Sequence, residues 1–177
     1  MTTTHVVVMG VAGSGKSTVA HGLAARLGWP MAEGDEFHSV ENIAKMASGH
    51  PLTDDDRWPW LDRIVEWTAQ QDRAGHCTLV TCSALRRAYR DRLRTAPGRT
   101  VFVHLVGSAD VVADRLAHRT DHFMPSSLLP SQLATLEPLG SDEDGFSIDI
   151  EQDVDEVLDS IVDALSTNPQ LLKGCAE

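Results

Sequence analysis

Apolar and polar positions along the chain follow two alternating rhythms. His5-Val-Val-Val-Met9 is a short, continuous, β-branched run of the kind found in strands buried on both faces. From Ser17 the period changes: Val19, Ala20, Leu23, Ala24 and Leu27 recur at helical spacing until Gly28 stops the helix. A short second strand is predicted near Met31 to Gly34, then a helix over Ser39 to Ala47. Another helix opens with Thr53 as N-cap and Asp56 in the capping-box position. Thr78 to Thr81 reads as a third strand, Leu85 to Leu93 as a helix and Thr100 to Val106 as a fourth strand. Ser108 caps a helix containing Val111, Val112 and Leu116, and Ser147 to Ile150 is a weak fifth strand. Val154, Val157, Leu158, Ile161, Val162 and Leu165 form the apolar stripe of a last helix that ends at Asn168-Pro169. Strands alternating with helices predict an α/β fold with a parallel sheet covered on both faces and its site at the strand C-terminal ends.

The first strand and helix are joined by Gly10-Val-Ala-Gly-Ser-Gly-Lys-Ser-Thr18, in which Gly10, four residues, Gly15, Lys16 and Ser17 have P-loop spacing. Its glycines let backbone N–H groups turn inward around phosphate oxygens, and the helix N-terminus adds partial positive charge. Gly10, Ala12, Gly13, Ser14, Gly15, Lys16, Ser17 and Thr18 are thus the candidate nucleotide-binding residues. Lys16 is expected to reach the β- and γ-phosphates and Ser17 to ligate Mg²⁺. Beyond the second strand lies Glu33-Gly-Asp-Glu-Phe-His38. A carboxylate there faces the phosphates across the cleft, where an acceptor hydroxyl must approach in line. Asp35 is the candidate to accept that hydroxyl's proton and to hold a Mg²⁺-bound water, while Glu33 and Glu36 are read as surface or helix-start charges. The third strand ends in Leu-Val-Thr-Cys-Ser without a Walker B acid, and no NKxD segment is present. That pattern disfavours motor ATPases and GTPases and fits small-molecule kinases.

Composition narrows the partners. A chain of 177 residues with 15 basic and 26 acidic side chains has a formal charge of −11, which argues against nucleic acid and against anionic membranes. The hydrophobic fraction of 42% supports one core, and a single domain over 1–167 with a tail at 168–177 is expected. Cys77, Cys82 and Cys175 lack metal spacing and read as thiols of a reducing compartment, the first two as small core residues. With no signal peptide or membrane-length apolar run in the sequence, a cytoplasmic location is expected.

The segments GVAGSGKST, EGDEFH, NIAKMASGHPLTDDDRWPWL, CSALRRAYRDRLR and RTDHFMPSSLLPSQLATLE resemble, in order, those of gluconokinases, the ATP-dependent D-gluconate kinases. The third and fourth of these blocks are not generic P-loop features. The resemblance implies transfer of the ATP γ-phosphoryl group to the C6 hydroxyl of D-gluconate, with ATP and Mg²⁺ as cofactors. It also implies the three-layer P-loop kinase fold with strand order 2-3-1-4-5, a mobile lid at about 118–137, and a homodimer. Asp35 matches the acid expected to handle the hydroxyl, and His38, Lys45, Arg57, Arg86 and Arg90 fall in blocks expected to line the gluconate side.

Gluconate carries one carboxylate and five hydroxyls, so its site calls for a guanidinium fork among hydrogen-bonding groups. Arg57 and Arg86 are the first candidates for that fork; Arg87, Arg92 and Arg94 read as a solvated helix face. Arg115, Arg119 and His122 lie where this fold carries its lid, with Arg119 expected on the transferring phosphoryl oxygens, Arg115 on the adenine and His122 on the substrate side. His118 and His122 are four apart but have no third ligand, so no metal is assigned to them. Departures from the family pattern are Trp58 after Arg57 and Asp153 in the adenine-side loop. Two other readings stand beside this one: shikimate kinase, and a nucleotide-dependent binding module that has lost phosphoryl transfer.

Overall fold

The computed structural model describes residues 2–120 and 124–167. Strands β1 (Thr4–Met9), β2 (Met31–Glu33), β3 (Thr78–Thr81), β4 (Arg99–Val106) and β5 (Gly145–Asp149) form one sheet in the order β2-β3-β1-β4-β5. Every neighbouring pair is parallel, with Val6 opposite Leu79 on one side and Val101 on the other. Helices α1 (Lys16–Leu27), α2 (Val40–Ala47), α3 (Asp54–Arg73), α4 (Arg87–Leu93), α5 (Ala109–Ala117), α6 (Leu129–Thr135) and α7 (Val154–Thr167) complete the chain.

Two cores follow from the period-2 geometry of the central strand. Val6 and Val8 enter a cluster with Val19 and Leu23 of α1, Val112 of α5 and Ile161 of α7. Val7 and Met9 point the other way, against Trp60, Leu61 and Ile64 of α3 and Tyr89 of α4. All six residues of β1 are buried, which is why its sequence reads as a continuous apolar run. This is the three-layer fold with order 2-3-1-4-5 expected above.

Most elements lie within two residues of their expected bounds, and the exceptions have physical causes. The helix expected from Leu85 begins at Arg87 because Ala84 takes a left-handed φ of 45° and Arg86 is extended. The weak fifth strand begins two residues early, at Gly145, where an added Cβ would lie 2.3 Å from the Phe102 carbonyl oxygen of β4. Thr53 and Asp56 form the expected capping box. Cys77 and Cys82 are both core residues, but Cys77 is disulfide-bonded, which corrects its reading as a thiol. Cys82 is free, and burial pushes its thiol up to about 12, so it stays protonated.

Candidate active site

At the C-terminal ends of β1, β2 and β3 the chain encloses a cavity of about 400 Å³. The P-loop forms its floor. Gly13 and Gly15 have φ of 80° and 90°, a region that side chains disfavour, and an added Cβ on Gly13 would meet the Val112 carbonyl oxygen at 2.9 Å. The Lys16 ammonium folds over the loop and donates to the Gly10 and Val11 carbonyls at 3.1 and 3.0 Å. Burial lowers its pKa, opposed chiefly by the charge of Asp35 and reinforced by Arg119. Ser14 Oγ is buried with no hydrogen-bond partner among the described residues.

The P-loop hydroxyl is hydrogen-bonded to a carboxylate, that of Glu33. Ser17 Oγ donates to Glu33 Oε2 at 3.0 Å, and Thr81 Oγ1 donates to the same oxygen at 2.6 Å. Glu33 is therefore not a surface charge but a partner of the P-loop hydroxyl. The sequence carries the signal for this pairing: an acid ending β2 and a threonine ending β3 are adjacent in a parallel sheet with β2 beside β3. Gly34 makes this possible, since its Cβ would come within 1.9 Å of the Thr81 carbonyl oxygen. Its N–H donates to Thr81 Oγ1 at 3.1 Å.

Asp35 follows in a 3-10 turn, Gly34–Phe37, with its carboxylate half-exposed toward the cavity. His38 Nε2 lies 3.8 Å from it, and the His38 ring stacks on Trp60 at 4.1 Å with the planes 18° apart. Burial lowers the His38 pKa to about 4, so the ring is neutral near pH 7. Trp60 Nε1 in turn donates to the Gly34 carbonyl at 2.7 Å, so α3 holds the whole turn.

The basic residues separate into three groups. Arg57, Arg115 and Arg119 line the cavity. Arg57 Nη1 donates to Tyr89 Oη at 3.1 Å, and Arg115 Nη2 to the Ile150 carbonyl at 2.7 Å. Arg86 stands beside Arg57 but does not itself line the cavity, its Nη1 3.3 Å from Asp54 Oδ2. Lys45 instead pairs with the capping carboxylate of Asp56 at 2.6 Å and does not line the cavity. Arg90 is corrected outright: it is fully buried, bidentate to Glu143 at 2.7 and 2.8 Å, and donates to the Ala84 carbonyl at 3.0 Å. It pins the strained turn after β3 and has no face toward a substrate. His122 lies outside the described residues.

Gln132 is a lining residue without an expected role. Gln132 of α6 accepts from the Ala12 N–H at 2.7 Å, tying the helix over the cavity to the P-loop. Its segment was singled out in the sequence, but a lone glutamine in a seven-residue helix carries no chemical signal of its own.

Among the described residues no group of three or more His, Cys, Asp or Glu side chains builds a metal cage. The hydroxyl and carboxylate oxygens of Ser17 and Glu33 suit Mg²⁺, which takes one or two protein oxygens and completes its shell from phosphate and water.

Comparison with known proteins agrees with this geometry. The AAA domain family model matches residues 6–139. A gluconokinase of Gluconobacter oxydans is 52% identical over 157 residues, covering 89% of this chain and 88% of that protein. The crystal structure of a gluconokinase from Sinorhizobium meliloti is 48% identical with a TM-score of 0.84, over 96% of this chain and 95% of the other. An unliganded sugar kinase from a Janibacter species is 50% identical with a TM-score of 0.90, covering 99% of each chain. A shikimate kinase from Aquifex aeolicus, 17% identical with a TM-score of 0.59 over 94% of this chain and 98% of the other, shares the fold alone. With a P-loop, an acid pair at the end of β2 and relatives of this closeness, the chain belongs to the gluconokinase family.

Proposed function

We propose that the chain transfers the γ-phosphoryl group of ATP to the C6 hydroxyl of D-gluconate, yielding 6-phospho-D-gluconate and ADP. The observation that carries this reading is the single cavity joining the P-loop, Asp35 and Arg57, a phosphate cradle, a hydroxyl acceptor and a carboxylate anchor in one enclosure. Family membership supports the substrate.

Asp35 accepts the proton of the C6 hydroxyl as its oxygen attacks, and His38, neutral on Trp60, orients the substrate by a hydrogen bond. Arg57 and Arg86 hold the gluconate carboxylate. Lys16 and Arg119 stabilise the charge of the phosphoryl oxygens, and the peptide N–H groups from Gly13 to Thr18 position the β-phosphate. Ser17 and Glu33 would hold Mg²⁺, which when bound with the nucleotide neutralises charge between the phosphates. Arg115, with Ile150 and Val157 nearby in the cavity wall, forms the adenine side. The segment at about 118–137 acts as a lid that excludes water, the competing acceptor. The whole works as one kinase domain over 1–167, in a homodimer and in the cytoplasm, where ATP is supplied; no described helix is long and apolar enough to cross a membrane.

ADP release by the purified protein with Mg·ATP tests the proposal, comparing D-gluconate, shikimate, adenylate and no acceptor. Stimulation by gluconate alone is expected. Stimulation by shikimate instead, or ATP binding without turnover on any acceptor, would overturn it. Arg86→Ala is expected to raise the KM for gluconate about tenfold or more with little change in the KM for ATP.

A further inference from the structure

Behind Arg57 of the cavity wall, one carboxylate is shared by the two arginines of the fork. Asp54, the first residue of α3, has Oδ2 3.3 Å from Arg86 Nη1 and Oδ1 3.8 Å from Arg57 Nη1. Tyr89 closes the group. Its hydroxyl donates to Asp54 Oδ1 and accepts from Arg57, and its ring lies beneath both guanidinium carbons at 5.2 and 6.0 Å. Asp54 is not needed for the helix cap, which Thr53 and Asp56 make between them.

The geometry points to Asp54 as an internal counter-anion that sets which anionic head group the fork accepts. Two guanidinium charges against one carboxylate leave a single net positive charge, matched to a monoanionic sugar acid. Without Asp54 the pair would present two positive charges side by side and would favour a dianionic phosphate head. Asp54 also competes with the incoming carboxylate for the same N–H donors, so affinity for the sugar acid is held below what two free arginines would give. Tyr89 pins the competing carboxylate in place, and burial and Asp54 both push its phenol pKa up, keeping it a donor. Asp54 thereby acts as a specificity-determining residue through the arginines it faces. This inference rests on the gluconate reading and on the assignment of Arg57 and Arg86 to the substrate carboxylate.

The test compares wild-type protein with Asp54→Asn and Tyr89→Phe, measuring the KM for D-gluconate, the KM for ATP, and the inhibition constant of a pentitol phosphate whose phosphate takes the place of the carboxylate. Asp54 is half-exposed and outside the capping box, so Asp54→Asn is expected to fold. In this variant the gluconate KM should fall about 3- to 10-fold, and the inhibition constant of the pentitol phosphate should fall by a larger factor. Tyr89→Phe should move both in the same direction by less. A gluconate KM that is unchanged or raised in Asp54→Asn, or equal shifts for the two anions, overturns the inference while leaving the kinase reading intact. Wild-type protein that phosphorylates no gluconate defeats the kinase reading and this inference with it.

Discussion

Glu33 and Arg90 both have surroundings that differ from the sequence expectation, and each is testable by a single substitution. Glu33 binds Ser17 and Thr81 at the head of the P-loop helix. Glu33→Gln keeps the shape and removes the charge, so turnover should fall about 10- to 100-fold and the Mg²⁺ concentration for half-maximal activity should rise. A Mg²⁺ titration of initial rates checks this, and an unshifted midpoint would remove Glu33 from the metal side. Asp35→Asn should lower kcat while sparing ATP binding, and unchanged kcat would end its assignment as proton acceptor. Arg90 is expected on the substrate side only because its block resembles that of gluconokinases, yet its guanidinium is engaged by Glu143 and by two stretches of backbone carbonyl, at Ala84-Leu85 and Glu137-Pro138. Arg90→Met leaves the buried Glu143 carboxylate with Arg94 and the Gly140 N–H, and unfolding stability is expected to drop by about 3 kcal/mol. Denaturant titration reads that loss. The KM for gluconate of the folded fraction should stay close to wild type, which a direct ligand could not do. Charge pattern alone cannot separate the two arginine roles, because burial of a guanidinium depends on an acid 53 residues away along the chain.

Among the elements, those with strong periodicity were legible and those shaped by local strain or tertiary contact were not. The strands β1 and β4, the helix α7 and the capping box of α3 follow from apolar period and N-cap chemistry. The start of α4 does not, because the left-handed Ala84 is held by a hydrogen bond from Arg90 that no local rule contains. Helix α6 is only seven residues long, and its role comes from one side chain reaching the P-loop. Gln132→Ala breaks the hydrogen bond to the Ala12 N–H. A neutral hydrogen bond of about 1 kcal/mol corresponds to a rise of roughly 3- to 10-fold in the KM for ATP. Steady-state kinetics at saturating gluconate measure it, and an unchanged KM would mean that α6 packs over the P-loop without assisting nucleotide binding.

The whole molecule carries an acid sensitivity that follows from its buried histidines. His5, His38 and His104 all have pKa values lowered by burial, His38 to about 4. A group whose folded pKa lies below its unfolded value of 6.5 takes up its proton first in the unfolded chain. Stability is therefore full above about pH 6.5 and falls as the pH drops toward 4, by up to about 3 kcal/mol for His38. Asp56 and Glu143, both held at about 2 by their basic partners and hydrogen bonds, act in a second stage: their contribution is present above the ordinary carboxylate range and is lost as the pH falls from about 4 to 2. Urea titrations at successive pH values should show both stages, and His38→Gln should flatten the first. At this scale the sequence announced the sheet order and the site's place in it, through the P-loop, the resemblance and the alternation of strands and helices. It did not reveal which charges the fold would bury, since that depends on pairings across elements. One of those cross-element contacts also constrains how the molecule can change over time. No side chain fits at Gly34 against the Thr81 carbonyl, so the spacing of Glu33 and Asp35 is closed to mutational drift. Under the proposed roles, sequence change that alters the sugar acid accepted is then expected at half-exposed Asp54 and Arg86, where side chains can be exchanged without meeting backbone.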